Sequence, residues 1–298
     1  MASDKILITG IGGPAGKATA SFLKANNLSF IGVDMNPEIG KEYPNQFFAV
    51  PPAISNDFIP RLLDIAKREG VKLIIPTVDE EFIPIATNIK LFKDAGINLI
   101  VSSLDTVRIC RDKNRTAEFL NKNSISVPRT MPLENVTNEE IEQIGFPLIV
   151  KPRSGRGGRG ITVFKTESEL RESISKFDSS FMIQEFIDGQ EYDVNMFIHD
   201  GKVLVNQVLL KTELEHGNYG NATKTVPVRD AVVENVASKV AKAICAEGPI
   251  DLDVRKAVDG SLRVLEINPR IGANVLQTPN VLVELLKVAR LRDKNGHL

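Results

Sequence analysis

The strongest constraint on the fold of this chain is a change of pattern part-way along it. Over the first hundred residues short β-branched runs alternate with helical periodicity: Lys5 to Thr9, Ser29 to Val33, Val71 to Ile75 and Ile97 to Val101 have strand character. Between them Asn56 to Glu69 sets Phe58, Ile59, Leu62, Leu63, Ile65 and Ala66 largely on one helical face and stops at Gly70. Strand and helix in alternation imply a parallel sheet covered on both sides. Asp112 can cap a further helix to about Asn121, and the weakly periodic stretch holding Pro128, Pro132 and Asn135 has the character of a connection. Beyond it the pattern turns antiparallel: Leu148 to Val150, Phe181 to Ile187, Tyr192 to His199, Val203 to Lys211, Ile250 to Val258 and Leu262 to Ile267 are strand-like, several joined by turn pairs such as Asp200-Gly201 and Asp259-Gly260. A helix from Ala231 to about Ala246 supplies the covering layer. An α/β unit followed by an α+β unit is expected within the 298 residues.

Charge narrows the function classes. Lys and Arg total 37 against 38 Asp and Glu, so no net field draws the chain to nucleic acid or to an anionic membrane. No apolar run approaches the ~18 residues needed to cross a bilayer, and the N-terminus lacks the pattern of a cleaved leader. Cys110 and Cys245 fall in helix-like segments without metal-ligand spacing, which suits a reducing, cytoplasmic setting. His199, His216 and His297 are isolated and read as surface or turn histidines.

Two glycine-rich turns compete for attention. Gly10-Ile11-Gly12-Gly13-Pro14-Ala15-Gly16 follows a strand, opens a helix, and has Asp34 at the end of the next strand, as a dinucleotide site would. A P-loop is excluded, because Gly16-Lys17 is preceded at the required spacing by Ile11 and followed by Ala18. These glycines are read as serving the tight strand-to-helix turn, with nicotinamide binding the less favoured alternative. The second turn sets Lys151, Arg153, Arg156 and Arg159 among Gly155, Gly157, Gly158 and Gly160. Backbone N–H groups that can turn toward one anion, with planar guanidinium forks beside them, point to a polyphosphate.

Counting gives a third site. If Asp259-Gly260 is a two-residue hairpin turn, Val258 pairs with Ser261, Asp253 with Glu266 and Asp251 with Asn268. All four would then project from one face, with Leu252, Val254, Leu265 and Ile267 on the other. Like charges facing one another need a cation between them, and an all-oxygen set suits Mg²⁺. Arg270 follows closely enough to neutralise a phosphoryl group. Upstream, Gln184 to Tyr192 offers the exposed backbone and apolar contact that an adenine edge uses.

These residues carry a resemblance. Pro76 to Glu81, Asp112-Lys113, Lys151 to Gly160, Gln184 to Tyr192, Gly248 to Asp253 and Glu266 to Arg270 together resemble the ATP-grasp superfamily, most closely its carbamoyl-phosphate-synthase-large-chain-like branch. The resemblance implies a Rossmann-like (pre-ATP-grasp) domain over 1–106 and a two-subdomain ATP-grasp fold over 107–298, divided into 107–185 and 186–298. It also implies that Lys113 and Lys151 contact the nucleotide phosphates and that Ser154, Gly155, Gly157, Gly158 and Gly160 belong to a phosphate lid. Glu185, Phe186 and Ile187 would form the adenine hinge and Glu191 the ribose ligand. Asp253, Glu266 and Asn268 would hold Mg²⁺, with Mn²⁺ as a substitute, while Arg270 and Lys211 act on the reacting groups and Asp251 lies behind the metal. The Gly10 to Gly16 turn becomes a co-substrate edge.

The implied chemistry is ATP-dependent ligation of a small-molecule carboxylate to an amine through an acyl phosphate, releasing ADP and phosphate. Two other roles are a single-module subunit that phosphorylates bicarbonate or carbamate and a regulatory module that binds Mg-ATP without turnover. Only 28 residues follow Arg270, and a chain of 298 residues is too short for a duplicated synthase with two ATP-using halves, so a partner subunit or a simpler ligase reaction fits better, with a homo-oligomer as a further alternative.

Overall fold

The computed structural model describes residues 4–155 and 158–291. The first unit is a parallel sheet of β1 (Lys5–Thr9), β2 (Ser29–Asp34), β3 (Phe47–Ala49) and β4 (Val71–Ile75), in the order β3-β2-β1-β4. It is threaded with α1 (Pro14–Ala25), α2 (Phe58–Arg68), α3 (Phe82–Thr87), α4 (Ile89–Asp94) and α5 (Leu104–Arg111). Pro14 opens α1, where its missing N–H costs nothing, and Gly70, at φ 66°, follows α2 as the periodicity predicts.

One expected strand is absent. Residues 97–101 touch β4 through a single bridge, Leu73 to Asn98. The chain then leaves the sheet: the Ile100 carbonyl packs against Gly248, where an added Cβ would lie 2.4 Å from its oxygen, and Ser102 Oγ donates to the Glu247 carbonyl at 2.8 Å. A strand continuing along β4 would forfeit that junction.

After α6 (Lys113–Lys122), capped by the Asp112 carboxylate, comes a four-stranded sheet of β5 (Thr130–Pro132), β6 (Leu148–Pro152), β7 (Thr162–Phe164) and β8 (Phe181–Glu185), with α7 (Asn138–Ile144) and α8 (Glu167–Ser173). The stretch read as a connection therefore holds edge strand β5, paired to β8, an edge being where its Pro128 and Pro132 are tolerated. The third sheet has the order β11-β10-β9-β12-β13, built from β9 (Gly189–His199), β10 (Lys202–Leu214), β11 (Ala222–Val228), β12 (Gly248–Ala257) and β13 (Leu262–Asn268). Strand β11 had no counterpart in the sequence pattern. Tyr192, Val194, Met196, Leu252 and Val254 alternate onto its rear face beneath α9 (Ala231–Ala243).

The core ignores the expected boundary near residue 106. One face of the parallel sheet, with Ile6, Ile8, Phe30, Leu73 and Ile75, is closed by α1 together with α10 (Asn280–Val288), through Leu282, Leu285 and Leu286. Among the described residues no helix is long and apolar enough to cross a membrane. Cys110 is buried, which pushes its thiol up to about 12, and Cys245 is exposed.

Candidate active site

The hairpin of β12 and β13 pairs Asp253 with Glu266 and Asp251 with Asn268, as the count expected, but by a different route. Its turn is not two residues long. Ala257 N–H donates to the Ser261 carbonyl, Gly260 sits at φ 82°, and the loop is Val258-Asp259-Gly260, with the Asp259 carboxylate accepting from Ser261 N–H. That shifts the register by one. A bulge at Leu265, between the pairs Asp253–Glu266 and Val254–Val264, shifts it back. Val264 therefore takes the core position expected of Leu265, which is half-buried.

Strand alternation assembles the front face of this sheet: Glu191, Asp193 and Asn195 on β9, Lys211 on β10, Asp251, Asp253 and Arg255 on β12, and Glu266 and Asn268 on β13. Lys211 Nζ lies 2.6 Å from Asp253 and 2.7 Å from Glu191. Those carboxylates outweigh its burial and raise its pKa. Burial pushes Asp253 up to about 7 despite Lys211, with Glu191, Asp251 and Glu266 adding to the rise. Asp193, Asp251 and Asp253 converge to within 4.8 Å of one another. Burial first, and then Asp251, drives Asp193 well above the carboxylate range. The converging set is thus Asp193, Asp251 and Asp253, while Glu266 is paired with Lys113; of the expected ligands Asp253 alone belongs to it, and Asp253, Glu266 and Asn268 share with it only the oxygen donors that a hard divalent cation such as Mg²⁺ takes.

The smaller sheet contributes cations. Lys151, on β6, is 7% exposed, and its pKa falls to about 8, from burial first and the nearby Lys113 second. Lys113, at the first position of α6, lies 3.2 Å from Glu266 and 3.2 Å from the Gly155 carbonyl. Around the lid, Arg153 pairs with Asp112 at 2.8 Å and Ser154 Oγ donates to the Arg111 carbonyl. Gly158 approaches the β10–β11 turn so closely that a Cβ there would lie 3.2 Å from Gly220 Cα, and Gly160 packs on Pro152. Gly157 and Arg156 lie outside the described residues.

At the other end of the face, Glu185 exchanges backbone and side-chain hydrogen bonds with Arg129, Phe186 is half-buried and Ile187 is buried. Glu191 is clamped by Lys211 and Arg255, which hold its pKa low against the opposing effect of burial. Arg270 bridges two units: Nε donates to Asp79 and Nη1 to Asp251, each at 2.8 Å. Asp79 lies in the Pro76 to Glu81 stretch but carried no expected role, and Asp193, Asn195, Arg255 and Asn274, whose Nδ2 donates to Asp193, were not expected from the motifs. The alternation of Glu191, Asp193 and Asn195 with Tyr192, Val194 and Met196 is the signal that carries two of them.

The Gly10 to Gly16 turn is filled by its own chain. Asp34 accepts from Gly12 N–H at 3.0 Å, and a Cβ on Gly12 would meet Ile39 at 2.6 Å. Behind it the buried Glu81 is hydrogen-bonded to the Thr9 hydroxyl, and burial pushes its carboxyl up to about 8.

A family profile of the ATP-grasp domain matches residues 110–274, more than half of the chain. The chain belongs to the ATP-grasp family. A second profile, the PylC-like N-terminal domain, matches residues 6–100. Among curated relatives, a carbamoyl-phosphate synthase of Methanobrevibacter smithii is 27% identical over 285 residues, which cover 90% of this ATP-grasp chain and 76% of the relative. A D-alanine–D-alanine ligase of Bacillus anthracis is 30% identical over 158 residues, 48% of this chain and 51% of the ligase. The carbamoyl phosphate synthase large chain of Pasteurella multocida is matched over 19% of its own length. The fold is that of the ADP complex of N5-carboxyaminoimidazole synthetase from Staphylococcus aureus, with a TM-score of 0.75, 18% identity, and coverage of 99% of this chain and 78% of that one.

Proposed function

We propose that this ATP-grasp protein is a cytoplasmic ligase that joins a small carboxylate to an amine at the expense of ATP, through an acyl phosphate, releasing ADP and phosphate. The observation that carries the reading is the front face itself, where the half-buried carboxylates of Glu266, Asp253 and Asp251 are paired with Lys113, Lys211 and Arg270 beside a glycine-rich turn. Asp253, Glu266 and Asn268 would hold Mg²⁺, which when bound supplies neutralising charge to the phosphates. Lys151 and Lys113 bind phosphate oxygens. The hinge Glu185, Phe186 and Ile187 and the carboxylate of Glu191 orient the nucleoside. Arg270, released from Asp79 or Asp251, offers its guanidinium to the acyl phosphate, and the lid excludes water that would hydrolyse it. Positioning and charge neutralisation then account for the rate.

The second reading, phosphorylation of bicarbonate or carbamate by a single module, is favoured by the match to the M. smithii synthase over 90% of this chain. One assay separates the two. Phosphate release is measured against amino acids, dicarboxylates and bicarbonate, each with and without amines. Stimulation by a carboxylate plus an amine supports ligation, and stimulation by bicarbonate alone supports the second reading. Tight ATP binding with no stimulated cleavage defeats both and leaves a regulatory module.

A further inference from the structure

Arg255 has no place in the chemistry above, yet it is among the most enclosed charges of the chain. It lies on β12 two residues beyond Asp253, directly across from Glu191 on β9, and is 4% exposed. A guanidinium stays charged at any accessible pH, so burying one is costly unless its five N–H donors find acceptors. Two of its nitrogens have found them. Nη1 donates to the Ile187 carbonyl at 2.9 Å and Nη2 to the Glu191 carboxylate, while the guanidinium carbon lies 5.9 Å from the centre of the Phe186 ring. Nε–H has no partner among the described residues.

Every one of these contacts falls at the nucleoside end of the proposed ATP site. The link continues from Glu191 to Lys211 and from Lys211 to Asp253, so the hinge is tied to the proposed metal ligand by a buried chain of alternating charges. The contact to Ile187 has a consequence for the base. A hinge residue can meet the N1 edge of a purine with either its N–H or its C=O. Adenine carries an acceptor at N1 and uses the N–H, whereas guanine and hypoxanthine carry an N1–H donor and need the C=O. Here that carbonyl already receives a charged donor, and the positive charge beside it opposes a second one. Nε–H remains a buried donor without a partner among the described residues.

We propose that Arg255 is the positioning and specificity residue of the nucleoside end: by holding the Ile187 carbonyl and the Glu191 carboxylate it fixes the hinge and selects an adenine nucleotide over guanine and hypoxanthine nucleotides. The inference deepens the ATP-ligase reading and rests on it.

The test is calorimetric binding of ADP, GDP, IDP and tripolyphosphate, each with Mg²⁺, to the full chain and to Arg255→Met and Arg255→Lys. The wild type is expected to favour ADP over GDP and IDP by about a hundredfold. Arg255→Met should bind ADP about tenfold more weakly, in line with the loss of a charge-assisted hydrogen bond, and should narrow the ADP:GDP ratio by a similar factor. Arg255→Lys, with a point charge in place of the fork, should recover part of the ADP affinity but not the ratio. Tripolyphosphate has neither base nor ribose, so its affinity should fall much less than that of ADP in both variants, which a general loosening of the fold would not allow. Unchanged ADP affinity and ADP:GDP ratio in both variants would overturn the proposal, and so would a loss that falls equally on tripolyphosphate. Should Arg255→Met fail to fold, the ratio in Arg255→Lys decides alone. A wild type that binds tripolyphosphate but no nucleotide removes this inference while leaving the phosphate end standing, and one that binds neither removes the ligase reading as well.

Discussion

The chain contains two glycine-rich turns at strand ends, and they are put to opposite uses. The turn at Gly10 to Gly16 is closed from within: Asp34 takes the Gly12 N–H, Ile39 fills the space a side chain would need, and Lys17 points away to an exposed pair with Glu42. The turn after Lys151 leaves its lysine buried and close to Lys113, and burial first, then Lys113, lower its pKa to about 8 although Glu266, Glu191 and Asp253 oppose the fall. Glycine content alone does not separate a structural turn from a binding loop. The polar groups around it do, satisfied in the first case and left wanting a ligand in the second.

The comparison breaks if the two lysines behave alike. Lys151→Met is expected to lower kcat/KM for ATP by about 10⁴-fold, the scale of a lost phosphate-stabilising cation, with Lys17→Met within about twofold of wild type. Comparable losses at both positions would return the first turn to the nucleotide.

The next effect concerns stability. Glu81 has a folded pKa of about 8 against an ordinary 4.5, so the folded chain holds its proton more tightly than the unfolded chain. That contribution is complete below about pH 4.5 and is lost as the pH rises through 8, in total on the order of 5 kcal/mol. Glu81→Gln should flatten the fall in urea-denaturation midpoint between pH 5 and 8.5. A midpoint that falls as steeply in the variant would place the pH dependence elsewhere.

The smallest effect is a pH profile. Lys151 is charged below about pH 8 and neutral above it, so KM for ATP should rise by up to about tenfold per pH unit beyond 8 while Lys151→Arg shifts the rise upward. A KM flat to pH 9.5 would show that bound phosphate never depends on that proton.

Much of the site was legible because hydrophobic alternation is insensitive to the details that went wrong. Asp253 faces Glu266 although the hairpin turn is a residue longer than its Asp-Gly pair suggests, since the bulge at Leu265 restores the pairing. The core selects this compensation: without it Glu266 or Ile267 would exchange faces, burying a carboxylate under α9. Residues 97–101 were misread because Ile97, Leu99 and Val101 carry strand propensity, and only the approach of Gly248 from the far end of the chain decides against it. Strand β11 was illegible for the converse reason. Its residues Ala222 to Val228 are mostly exposed and half-exposed at the sheet edge, so burial leaves no pattern on them. Arg255 matters through Ile187 and Glu191, partners more than sixty residues away, which no local spacing records.

The closure of the N-terminal sheet by α10 also sets an order of events at the ribosome. Strands β1 and β4 emerge well before Leu282, Leu285 and Leu286, the residues that cover their apolar face. At 5–20 residues per second the interval between Ile75 and Asn280 is roughly 10 to 40 s. For that time the nascent parallel sheet presents Ile6, Ile8 and Leu73 on a half-finished surface. The first unit to be synthesised is thus among the last to be completed, and mutations in α10 should tell first on yield in the cell.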